Sequence, residues 1–191
     1  MKSAILSLGL LLAACTTTAP ADDDDSTPAS DGLAAGDATL TVTLIAQDDT
    51  EETLDVEAST FSLWFCGEGC FSLNAGFDAF GTRLLAGWSF ETPDPPTGIG
   101  DIVYANVRWD DDTRYARQGE HPNVDGDWGA APGGEIAIDS SCEDCVNGGP
   151  GASGALQGAS TSTVYDAATD LPTGERLRLD AALFRDLPRV Y

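Results

Sequence analysis

The chain has 191 residues, enough for one domain with a substantial core and too few for two ordinary ones. Nine Lys plus Arg stand against 32 Asp plus Glu, a formal net charge of −23. That sign repels phosphate, so nucleic acid and anionic lipid headgroups are poor partners, and calcium, cationic surfaces and neutral sugars remain. With 21 Gly and 10 Pro, the composition suits a turn-rich chain, not a helical bundle.

Residues 1–15 read MKSAILSLGLLLAAC. Lys2 precedes an apolar run, Ala4 to Ala14, that is too short to cross a bilayer as a helix. The run closes on Leu12-Ala13-Ala14-Cys15. This resembles the lipobox of bacterial lipoproteins: a Leu, two small residues and a Cys. The resemblance covers these first 15 residues and no more. It implies removal of residues 1–14, a diacylglyceryl thioether on Cys15, and acylation of the new α-amine. Several acyl chains on one residue exceed the two signals needed for stable anchoring. The bland alternative is an ordinary secretory signal cleaved near Ala19. Thr16 stands where lipoproteins retained at an inner membrane often carry Asp. The resemblance therefore implies the outer membrane, with the protein facing the periplasm or the cell surface.

From Cys15 to Gly36 the chain is an acidic tether in which Leu33 is the one sizeable apolar residue. Such a segment cannot bury enough surface to offset its ordering entropy, so disorder is expected. Its roughly 21 residues give a root-mean-square reach of about 25 Å. The Asp22–Asp25 run reads as a solvated spacer, with an export signal or a weak metal site as alternatives.

Residues 37–191 are expected to form a single domain. From Thr39 onwards the apolar period is two. Leu40, Val42 and Leu44 alternate with Thr41 and Thr43, and Leu54, Val56 and Ala58 come next. Phe61, Leu63 and Phe65 follow, then Phe71 and Leu73. Leu84, Ala86, Trp88 and Phe90 make another set. Val103, Ala105, Val107 and Trp109 predict the longest strand, with Ile102 and Tyr104 on its other face. Ile136 and Ile138, a Thr/Ser-rich stretch around Val164, and Leu177, Leu179, Ala181 and Leu183 complete about nine strands. The expected fold is all-β, an antiparallel β-sandwich. Three stretches break the pattern and predict long loops: Glu91–Gly100, Asp110–Gly134 and Cys142–Gly158.

Beyond Cys15 the cysteines are Cys66, Cys70, Cys142 and Cys145. An even number in an exported chain favours two disulfides. Cys66-Gly67-Glu68-Gly69-Cys70 reads as a hairpin with a three-residue tip and facing cysteines. Cys142 and Cys145 could close a four-residue turn in the same way. The favoured pairing is Cys66–Cys70 with Cys142–Cys145. Crossed pairs, a four-thiolate zinc site and a redox Cys142/Cys145 pair are alternatives.

His121 is the one histidine and precedes a proline in a polar loop. No nucleophile elbow, zinc-protease motif or phosphate loop accompanies it. With 32 acids, no pair stands out for glycoside hydrolysis. Enzyme function is therefore not expected. The best site signal is the acidic stretch 110–127. Asp110, Asp112, Asn123, Asp125 and Asp127 offer oxygen ligands at short spacing, as calcium requires. The spacing departs from that of an EF-hand loop, and a solvated loop is the simpler reading, with no cofactor. Arg108, Arg114 and Arg117 are expected to pair with these acids. Trp88 and Trp109 fall on the apolar phase and read as core. Trp64, on the opposite phase, and Trp128, in the acidic loop, are the candidates for ligand contact.

These readings describe a membrane-anchored extracytoplasmic module with a structural or interaction role and a protein or glycan partner. The main alternative is a calcium-assisted carbohydrate-binding or adhesion module, and a glycan hydrolase ranks below it. The lipobox reading predicts that cells incorporate labelled palmitate into the wild-type chain and not into Cys15→Ser. Labelling that survives the substitution contradicts it.

Overall fold

The computed structural model describes residues 33–67, 70–91, 98–121, 126–146 and 149–190. The signal segment, Cys15 and the tether as far as residue 32 lie outside them. The described residues are all-β, with twelve strands and no helix. In chain order the strands are β1 (Ala38–Ile45), β2 (Glu51–Glu57), β3 (Thr60–Gly67), β4 (Cys70–Ala79), β5 (Thr82–Glu91) and β6 (Gly98–Trp109). There follow β7 (Arg114–Glu120), β8 (Asp127–Trp128), β9 (Glu135–Val146), β10 (Gly149–Gln157), β11 (Ser160–Asp166) and β12 (Leu171–Val190).

The strands form one continuous hydrogen-bonded sheet in the order β10-β9-β6-β5-β4-β3-β12-β11-β7-β8. Further pairings of β10 with β12 and of β7 with β6 return the sheet to itself, and β1 and β2 extend it from β12. The expected antiparallel pairing holds throughout, apart from a short parallel contact of β12 with β3 at Arg189↔Leu63 and Val190↔Trp64. One sheet folded over one core thus does what the sequence reading assigns to two facing sheets.

Alternation explains which face is buried. Leu40, Val42, Leu63, Leu73, Phe77, Leu84, Trp88, Phe90, Val107, Trp109 and Leu179 all fall on the inward phase and join one core cluster. Phe77, Phe90, Trp109 and Phe184 are completely enclosed. Burying an aromatic ring of this size removes about 150–250 Å² from water, so these four dominate the apolar stabilisation.

The nine expected strands are present, and the structure corrects the loops between them. Asp110–Gly134 is not one long loop, because β7 and β8 lie inside it. Cys142–Gly158 is not a loop, because β9 runs on to Val146 and β10 returns from Gly149. Small residues build β10: Ala152 and Ala155 are buried without any bulky alternation. Of Glu91–Gly100, residues 92–97 lie outside the described residues. The phase of β6 also differs. Ser89 pairs with Tyr104 and Phe90 with Ile102, which makes Val103 a bulged residue. Ile102 is therefore core, and Tyr104 takes the outer face. The last tether residues are bound to the domain: Gly36 N donates to Arg185 O at 2.8 Å, and Arg185 Nη1 donates to Leu33 O at 3.1 Å.

Acidic residues build the turns. Asp49, Asp112 and Asp170 adopt positive φ, a conformation that Asp tolerates better than most residues. Asp48 accepts the Thr50 amide at 3.1 Å and Asp111 the Thr113 amide at 3.0 Å. Asp166 accepts the Thr169 amide at 2.8 Å. Hydrogen bonds from these threonines, side chain first and then backbone, hold all three carboxyls below their ordinary value of 3.8. Their contribution to stability is complete above that value and is lost as pH falls through the lowered folded values.

Truncating the enclosed Phe77 is expected to cost about 3–5 kcal/mol, whereas Leu171→Ala at an exposed site should stay within about 0.5 kcal/mol. Chemical denaturation of the two variants checks this, and equal costs contradict the inward phase of β4.

Candidate functional site

The outer face of the sheet carries two cross-strand rows. Register places Ser62, Asn74, Gly87, Asn106 and Arg117 side by side across β3, β4, β5, β6 and β7. The next row is Trp64, Ser72, Ser89, Tyr104, Gly119 and Trp128, ending on β8. Trp64 and Trp128 thus share one face and one row, about 24 Å apart over five inter-strand steps.

A groove of about 300 Å³ opens on this face, lined by Ser72, Asn74, Ser89, Tyr104, Arg117 and Trp128 among others. It continues across Asn106 into hollows of about 380 Å³ beside Ser62 and Leu85 and about 440 Å³ beside Arg108 and Tyr115. The floor is low because Gly87 has no side chain; a Cβ there would come within 3.0 Å of Asn74 Oδ1.

Aromatic rings form the wall. Tyr104 packs edge-on against His121, ring centroids 4.9 Å apart, and lies 5.7 Å from Trp128. Gly119 makes this wall fit. Its φ is +86°, and a Cβ would sit 2.0 Å from the carbonyl oxygen of the bulged Val103, so the position demands glycine. A Cβ at Gly126 would stand 2.1 Å from Cη2 of Trp128. Burial raises the Tyr104 hydroxyl pKa, against the opposing pull of the Arg117 charge. Burial also lowers the His121 imidazole below its ordinary 6.5, so the ring is neutral at neutral pH.

Arg117 is the cation of the wall. Its guanidinium carbon lies 4.8 Å from the centroid of the Tyr115 ring and 4.9 Å from that of the Trp128 ring. Nε donates to Asn106 Oδ1 at 3.2 Å. The expected pairing of the three arginines with neighbouring acids holds for Arg108, which meets Asp112 at 2.5 Å. Arg114 pairs instead with Glu175 at 3.0 Å. Arg117 has no carboxylate partner among the described residues, and its two terminal nitrogens have no acceptor there.

The three described calcium candidates, Asp110, Asp112 and Asp127, do not come together. Asp110 and Asp112 belong to the turn between β6 and β7, where the Asp112 carboxylate is taken by Arg108. Asp127 lies on β8 opposite Glu120, at the far end of β7, and accepts the Gly129 amide at 2.9 Å. The seven residues of β7 separate the two groups by roughly 20 Å. Asn123 and Asp125 lie outside the described residues. Among the described residues no three His, Cys, Asp or Glu side chains cluster to hold a metal.

Of the candidate tryptophans, Trp64 is 49% exposed and donates Nε1 to Ser62 Oγ at 2.7 Å. Trp128 is half-buried within the groove wall. Trp88 and Trp109 are core, as expected. In the cysteine segments, Gly67 pairs with Cys70, and the next pair is Phe65↔Phe71, so Cys66 occupies a bulge beside Cys70. Cys142 pairs with Gly151 and Val146 with Gly149, so three residues of β9 oppose one of β10. The reversal expected between Cys142 and Cys145 falls instead after Val146. The side chains of Cys66, Cys142 and Cys145 are not among those described.

Sequence reasoning singled out Trp128 but missed Asn74, Asn106 and the part played by Arg117. The available signal was the outward phase of Tyr104 and Arg117, which needs β7 to be seen as a strand. The chain matches no protein-family model, no curated protein and no solved structure.

Because Asp110 and Asp112 lie at one end of β7 and Asp127 at the other, the thermal midpoint of the full chain should be unchanged between excess chelator and saturating calcium. A site filled to ~100 times its Kd would add ~2.7 kcal/mol and raise the midpoint by several degrees. A rise of that size contradicts the separation of these acids.

Proposed function

We propose that the chain is a lipid-anchored, extracytoplasmic binding module, held through Cys15 in an outer membrane, and that its outer-face groove takes a glycan. The observation that carries this is the groove itself. Amide, hydroxyl and guanidinium groups of Asn74, Asn106, Ser72 and Arg117 line a shallow trough against the aromatic wall of Tyr104 and Trp128. Sugars present closely spaced hydroxyls and flat C–H faces, which such a surface complements. The trough is also long, extending over three neighbouring hollows, which suits a linear oligosaccharide better than a compact metabolite.

Binding without turnover is favoured by the charge pattern. Among the described residues Asp112 is the one acid lining these hollows, and it is tied to Arg108, whereas glycoside hydrolysis uses two carboxylates in most families. Two disulfides, Cys66–Cys70 and Cys142–Cys145, belong to the same proposal. In support, Cys70 is buried, 3% exposed. Bulges in β3 and β9 give both cysteine pairs local slack. Oxidation suits an exported chain.

Affinity electrophoresis of the full chain in neutral detergent tests the glycan reading, with dextran, xylan, starch, alginate and polygalacturonate as probes. At least one should retard the wild-type chain, Trp128→Ala should migrate freely, and no reducing ends should appear on incubation. Free migration in every probe, or steady release of reducing ends, contradicts it.

A further inference from the structure

The outer-face groove has a charge opposite to that of the chain, and we infer that its ligand is an acidic saccharide whose carboxylate is bound by Arg117. This rests on the glycan-binding reading above and adds the chemical class of the sugar.

Acids outnumber basic residues 32 to 9 in the sequence. The three hollows of the groove nevertheless include Arg108, Arg114 and Arg117 in their lining, with Asp112 as the one acid among the described residues. Arg108 is neutralised by Asp112 and Arg114 by Glu175. Arg117 is left without an anion among the described residues. It is also held in place. Asn106 fixes Nε, and the Tyr115 and Trp128 rings lie within 4.9 Å of the guanidinium carbon. A guanidinium fixed in this way, with Nη1 and Nη2 unused, is ready to donate two parallel hydrogen bonds to a carboxylate. Little side-chain entropy remains to be lost on binding.

Whole-chain charge argues against anionic ligands, but it acts over a limited range. Screening in physiological salt sets in at about 8 Å, so the groups lining the groove decide what enters it. Asn106 Nδ2 adds a further donor beside Arg117. A carboxylate on a pyranose ring would meet the guanidinium while the ring lies along the Gly87 floor. The same donors could accept an acidic peptide, but the groove is a shallow polar trough, with no deep apolar pocket to anchor peptide side chains.

The test compares charge at constant sugar. Alginate and polygalacturonate are titrated against the full chain in neutral detergent, each beside its methyl ester, by calorimetry. A uronate should bind at least about tenfold more tightly than its ester, since the ester forfeits the charge-assisted pair. Raising the salt should weaken the uronate and leave the ester unchanged. Arg117→Gln should bring acid and ester to equal affinity, and its thermal midpoint reports whether it stays folded. The wild-type comparison of acid with ester stands without that variant. Equal wild-type affinity for acid and ester overturns the charge assignment while the glycan reading survives. Binding to a neutral polysaccharide but to neither uronate has the same consequence. Polyglutamate bound as tightly as the uronates overturns the saccharide. No binding to any probe overturns both readings.

Discussion

The closure of the sheet by β12 is the constraint on which the rest of the structure depends. Its early residues pair with β11, its middle with β1, Gly151 to Ala155 of β10 lie against Leu183 to Pro188, and its end meets β3. A strand with this many partners fixes the register of the others, and register in turn fixes which residues face inward. Two irregularities let it bend as it passes between neighbours. Asp180 is an extra residue against β1, where it accepts Thr43 Oγ1 and Arg178 Nε at 2.5 Å each. Asp186 adopts positive φ beside the bulge against β10. Fixing one sheet around one core fixes the opposite face too, and that face is where the groove lies.

The groove is a by-product of register in a useful sense. Consecutive strands from β3 onwards each contribute one outward residue per row, five strands to one row and six to the other, and small residues in the middle lower the floor. The aromatic wall then depends on backbone detail: the bulge at Val103 turns Tyr104 outward, and its carbonyl occupies the space a side chain at position 119 would need. Glycine at 119 lets β7 lie against the bulge between Tyr104 and Trp128, the ring that also flanks Arg117. Local sterics thus set the geometry of the Arg117 guanidinium.

Much of the fold was legible in the sequence because bulky alternation marks a half-buried strand. Leu84, Ala86, Trp88 and Phe90 could hardly be read otherwise. The strands that escaped notice lack that signal. In β7 the one enclosed apolar residue is Ala116, and the outer positions are Tyr115, Arg117 and Gly119. In β10 glycine and alanine replace bulky residues because β9 and β12 approach closely on both sides. Long loops were therefore inferred where short strands run. The site followed the same pattern. Trp64 and Trp128 could be singled out by phase and context, but Asn74, Asn106 and Arg117 become a unit only through the register of neighbouring strands. The acidic run at 110–112 suggested metal ligation in sequence, whereas in the fold its side chains stabilise a turn and neutralise Arg108.

The central claim is that ligand contact occurs on the outer face, at the wall formed by Trp128, and not in the core or at the exposed Trp64. The four tryptophans give four indole N–H signals in a nitrogen-labelled NMR spectrum of the full chain. Titration with oligogalacturonate should shift the Trp128 signal progressively to saturation while Trp88 and Trp109 stay fixed. A fixed Trp128 signal, with Trp64 alone moving or with no indole responding, would contradict the account.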